Sequence, residues 1–201
     1  MKLTKQIIRL LAVIGVLMSS ALVAVAPMSA KTIPKPLLEQ VQRLTELLRD
    51  SYAVWYPNAT MVQFAKVREG EELVLTVFTI EGFGGGNNHA QFFAVFIVET
   101  SDKGKQHFSL LDVMPIAGKG WRSVRNLNAK VTKNPESKEI FIAFEGLEVA
   151  VGDALNFPTK KITINLLLKD GRIVEKFGRA TRDEGYRSSC IGPPQSTTKL
   201  I

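Results

Sequence analysis

Between Glu81 and Glu99 the chain passes from a glycine-rich turn straight into its most apolar stretch, EGFGGGNNHAQFFAVFIVE. Gly82, Gly84, Gly85 and Gly86 lack a Cβ, so the backbone there can take positive φ or come close to another group. Phe92 to Val98 is then a near-continuous apolar run, the pattern of a strand covered on both faces. Flanking strands are expected to add to its edges, and the rest of the chain to be built around it.

The first thirty residues stand apart from that fold. Lys2, Lys5 and Arg9 precede an apolar run from Leu10 to Ala26, and small residues follow, which is the layout of a secretory signal peptide. Cleavage is expected after Ala30, leaving a mature chain of about 171 residues that begins near Lys31. The apolar run is seventeen residues long, interrupted by Ser19 and Ser20, which is at the short limit for a membrane span, so the mature protein is not expected to be an integral membrane protein. No cysteine lies near the leader, which excludes a lipid-anchored lipoprotein. The expected location is therefore periplasmic or secreted. Loss of the leader removes three cations and no carboxylate, leaving 23 Lys and Arg against 19 Asp and Glu, or +4, too small a charge to argue for nucleic acid.

Downstream, apolar residues from Pro36 to Tyr56 (Leu37, Leu38, Val41, Leu44, Leu47, Leu48, Tyr52, Trp55) recur at helical spacing among polar ones, predicting one amphipathic helix. The period then changes to that of strands. These are expected over Met61–Val67, Leu73–Ile80, Gln91–Glu99, His107–Val113, Ser123–Thr132, Glu139–Glu145, Lys161–Leu168 and Arg172–Phe177. Pro115–Gly120 reads as a break, and Asp170-Gly171 as the turn of a final hairpin. The fold class expected is α+β, with one N-terminal helix packed on a curved, mainly antiparallel sheet of about eight strands. A single domain spans 31–180, followed by a polar tail over 181–201.

Asp112, the loop Gly118-Lys119-Gly120-Trp121-Arg122-Ser123 and the segment Gly152-Asp153-Ala154-Leu155-Asn156-Phe157-Pro158-Thr159 resemble a pattern in uncharacterised secreted bacterial proteins. The resemblance spans about residues 112–175 and implies an extracytoplasmic β-rich domain without an activity. Similar proteins carry Cys-Cys where this chain has Asn156-Phe157, so no thiol or metal role is expected at that loop.

The chemistry offered by the residues is sparse. A glycine loop can form a nest of N–H groups for an anion, here through Gly84, Gly85 and Gly86 with Asn87 and His89 at its rim. A strand follows the loop where a phosphate or dinucleotide motif would need a helix. Lys119, Trp121, Arg122 and Arg125 form a basic and aromatic cluster suited to an anionic ligand or a partner surface. Cys190, the one cysteine, cannot form an internal disulfide but can link two copies of the chain. With His89 and His107 it makes a poor nucleophilic or metal set, so no metal and no cofactor is expected. Glu81, Asp112 and Asp153 each stand at a strand end beside a glycine-containing loop. They are the residues of the competing reading, a hydrolase or isomerase using carboxylates. The preferred expectation is a non-catalytic extracytoplasmic binding or interaction module whose partner is a protein or an anionic ligand of the cell envelope.

Overall fold

A computed structural model of the chain describes residues 33–176. The leader, Phe177, the polar tail and Cys190 lie outside the described residues. One α-helix, α1 (Lys35–Leu48), opens the described chain. Pro34 and Pro36 sit at its start, where a missing N–H leaves no intrahelical bond unmade, and the Pro34 carbonyl accepts from the N–H groups of Leu37 and Leu38. The helix ends eight residues before the expected Tyr56. The cause is Asp50, whose Oδ1 accepts from the N–H groups of Tyr52 (3.0 Å) and Ala53 (2.8 Å) and so offers the backbone a turn in place of another helical bond. Tyr52 and Trp55 therefore leave the helical stripe.

Ten strands follow: β1 (Val54–Trp55), β2 (Met61–Arg68), β3 (Glu71–Phe83), β4 (Asn88–Thr100), β5 (Gln106–Gly118), β6 (Arg122–Ser123), β7 (Lys130–Lys133), β8 (Ile140–Glu148), β9 (Lys160–Lys169) and β10 (Arg172–Glu175). All pair antiparallel in one open sheet of order β1-β3-β4-β5-β6-β8-β9-β10, with β2 also beside β3 and β7 also beside β8. The two strands beyond the expected eight are β1, which was expected to be helix, and the product of a split: Ser123–Thr132 divides into β6 and β7. The expected break at Pro115 is absent, because β5 runs on to Gly118 with Pro115 opposite Phe92 beside a register shift. Proline is accommodated there because a bulge and an open strand edge ask no ladder N–H of it.

The sheet turns back on itself through β6, so that β7 lies near β2 and β10 near β5. Inward residues of both halves share one core: Leu73, Leu75, Val77, Phe93 and Val95 from the first, Ile140, Ile142, Phe144, Ile164 and Leu166 from the second. The rings of Phe93 and Phe144 stack across it with centroids 5.4 Å apart. On the outer face of the first half Val74, Phe78, Ile80, Ala94 and Phe96 are buried as well. So are Leu37, Val41 and Leu44 of α1, which runs beside β5, while Leu48 is only half-buried.

Between β6 and β7 the backbone has no ladder partner over 124–129, and two glutamines replace it. Gln91 Nε2 donates to the Val124 carbonyl (3.0 Å) while its Oε1 accepts from the Val124 N–H (2.7 Å). Gln63 does the same at Ala129, at 2.8 and 2.6 Å. Each primary amide presents the donor and the acceptor that a neighbouring strand would present, which satisfies buried peptide groups.

Candidate functional site

The Asp50 turn sets the first wall of the site. Past it the chain is extended, so Tyr52, Val54 and Tyr56 fall on one side while Ala53 is buried on the other. Tyr52 is 68% exposed and Tyr56 50% exposed, in a protein that keeps Phe78, Phe93, Phe96 and Phe108 almost fully buried. Pairing of β1 with β3 and of β3 with β4 puts Val54 opposite Glu81 and Glu81 opposite His89, so these three form a row on one face.

The second wall is the tip of the β3–β4 hairpin. Gly85 sits against the Tyr52 ring, where a Cβ would lie 3.7 Å from Cδ1, and its φ of +71° is one that side chains rarely adopt. Asn156, from the loop between β8 and β9, completes the lining. The result is an open cleft of about 480 Å³ bounded by Tyr52, Val54, Tyr56, Glu81, Gly82, Gly86, Asn87, His89 and Asn156. A second hollow, of about 360 Å³, lies at the other end of β4 along the turn from Ser101 to Lys105.

The glycine loop does not present the free N–H nest that its composition suggests. The Gly84 N–H donates to Asp50 Oδ2 at 2.8 Å, Gly85 donates to the Gly82 carbonyl at 2.9 Å, and Gly86 points at the Phe83 carbonyl at 3.4 Å. The anion seated on the loop is thus the protein's own carboxylate. Those bonds hold the Asp50 carboxyl below the usual aspartate range, the Gly84 N–H contributing most, with Ala53, Tyr52 and the nearby Arg49 adding to it against some desolvation.

The basic and aromatic cluster is divided by the fold. Lys119 joins the cleft rim: its ammonium donates to Asn87 Oδ1 and its backbone N–H to the His89 carbonyl, 3.2 Å away. Arg122 turns inward. Its Nη1 and Nη2 donate to the two Glu175 carboxylate oxygens at 2.6 and 2.7 Å, its Nε donates to the Ile116 carbonyl, and the side chain is buried. A guanidinium so engaged joins β6 to β10 and does not meet a ligand. Trp121 is partly exposed with its ring over the Arg122 guanidinium, 4.0 Å from ring centroid to Cζ. Arg125 is exposed on the segment after β6 and does not line the cleft.

The three carboxylates of the catalytic reading do not come together. Asp112 accepts from the backbone N–H groups of Val113 and Ile173, at 3.0 and 2.8 Å, and stands near Arg172. Asp153 accepts from the N–H groups of Ala150 and Thr159 and from the Thr159 hydroxyl, closing the loop between β8 and β9; the Ala150 bond is the main cause of its lowered pKa. Only Glu81 faces the cleft. Among the described residues no three His, Cys, Asp or Glu side chains gather at metal-binding distance.

Sequence reasoning missed Asp50, Tyr52, Tyr56 and Asn156. The first three were assigned to a helix that stops short of them, and Asn156 reaches the cleft through a contact far away in the chain. Comparison of the chain with family models, with curated proteins and with solved structures found no match. No helix among the described residues is long and apolar enough to cross a membrane.

Proposed function

We propose that the mature chain is a non-catalytic binding module of the cell envelope, periplasmic or secreted, and that its ligand enters the cleft between the Tyr52–Tyr56 segment and the glycine hairpin. The observation that carries this reading is the pair of exposed tyrosine rings facing polar side chains in one cleft, while Asp112 and Asp153 are committed to backbone donors. A lone glutamate without an acid or base partner at hydrogen-bond distance is a recognition group before it is a catalyst. Lys2, Lys5 and Arg9, the apolar run after them and the small residues up to Ala30 support export. In the same reading α1 lies on the outer face of the first half-sheet through Leu37, Val41 and Leu44, holding the Asp50 turn in place.

Retention of purified protein on envelope fractions tests the site. Wild type should be retained, and the Tyr52→Ala/Tyr56→Ala double variant should lose at least about tenfold in affinity, because aromatic anchors carry most of the energy at such sites. Equal retention of the two proteins would remove the cleft from the function.

A further inference from the structure

We infer that the cleft takes a neutral saccharide, an inference that rests on its being the binding site. The argument starts from charge. An anionic ligand would meet the Glu81 carboxylate and would find the N–H groups of Gly84 and Gly85 already donating within the chain. A quaternary ammonium ligand would suit two tyrosines and a glutamate, yet the Lys119 ammonium sits on the same rim, bonded to Asn87. One carboxylate and one ammonium on an open cleft leave a neutral ligand as the match.

The hydrogen-bonding inventory narrows the class. Glu81 carries two acceptor oxygens, the Asn156 amide and the two tyrosine hydroxyls both donate and accept, and His89 adds its two ring nitrogens. A hydroxyl-rich ligand satisfies all of them, since each of its hydroxyls donates and accepts. A proline-rich peptide also stacks on exposed aromatic rings, but its backbone is chiefly an acceptor and leaves Glu81 without a donor. Tyr52 and Tyr56, exposed and two residues either side of Val54, offer flat apolar faces to the C–H faces of pyranose rings. The volume, about 480 Å³, is at the lower end of the roughly 300–1,000 Å³ of ligand clefts and suits a short oligosaccharide.

The test is an array of neutral, sialylated and sulfated oligosaccharides, with titration calorimetry of the best neutral member, of choline and of a polyproline peptide. Binding to neutral oligosaccharides is expected, weakened by about tenfold or more in Tyr52→Ala and in Glu81→Gln, and kept within about threefold in Tyr52→Phe, which retains the ring. No neutral oligosaccharide bound, or binding confined to the anionic glycans, choline or polyproline, would overturn the inference. Retention on envelope fractions that depends on Tyr52 and Tyr56 in the absence of glycan binding would leave the cleft as a binding site and discard the saccharide alone.

Discussion

The two halves of the sheet bury their strands differently. Along β3 every residue from Leu73 to Phe78 is buried, so both faces are covered. Along β8 burial alternates, with Ile142 and Phe144 inside and Phe141 and Glu145 outside. Both halves share one inner core, and the difference between these two strands lies on the outer face, where the second half also buries Leu167 of β9. The proposed packing of Leu37, Val41 and Leu44 of α1 would account for the outer cover of the central part of β3 and β4. The one polar side chain among these buried outward positions of β3, Thr76, is satisfied by donating its hydroxyl to the Ala94 carbonyl at 3.3 Å.

That comparison can be broken by substitution. Phe96→Ala, on the outer face of the first half, should cost about 3 to 5 kcal/mol in urea unfolding, whereas Phe141→Ala, on the outer face of the second and 42% exposed, should cost under about 1. Similar losses at the two positions would mean that the outer faces do not differ. Leu37→Ala, fully buried on α1, is expected to cost about 2 to 5 kcal/mol. An unchanged urea midpoint for that variant would show α1 to be an appendage and would leave the burial of Phe96 without its cover.

The smallest effect concerns the Asp50 turn, which joins the end of α1 to the hairpin. Its carboxyl has a lowered pKa in the folded protein, so the contribution of the tether is complete above the ordinary aspartate value of about 3.9 and is lost as pH falls through the lower folded value. The Gly84 amide resonance should therefore hold its position from neutral pH to about 4 and move only in stronger acid. Movement of that resonance with an ordinary aspartate midpoint would show that the carboxylate does not sit on the loop.

Strand positions were legible wherever the pattern is local. Strand patterning located β2, β3, β8 and β9, the near-continuous apolar run from Phe92 to Val98 located β4, and Asp170-Gly171 located the last hairpin, where Asp170 and Gly171 both take positive φ. The helix was overextended because Tyr52 and Trp55 happen to continue its stripe, and periodicity carries no information about a side chain that captures the next backbone N–H groups. Pro115 was misplaced for a related reason: proline excludes a position inside a ladder but not one beside a bulge, and the bulge is set by the partner strand. In the site, the glycine loop was located correctly and its donors were misjudged, since the Asp50–Gly84 bond spans thirty-four residues. Arg122 looked like a surface cation until Glu175, on the last strand, supplied its carboxylate.

The glutamine pairs at Val124 and Ala129 carry a consequence for how this chain can vary. Ordinary loops absorb insertions because nothing measures their length. This connection is gauged at both ends: Gln91 and Gln63 reach from two fixed strands, and only a segment with four residues between its clamped peptides presents both at the right places. Added or deleted residues would pull at least one peptide off its amide, so changes of length belong in the turns from Ser101 to Gly104 and from Asn134 to Ser137, not here. The two clamped amide hydrogens should stand as isolated slow points in an exchange profile, a signature of a strand whose neighbours are side chains.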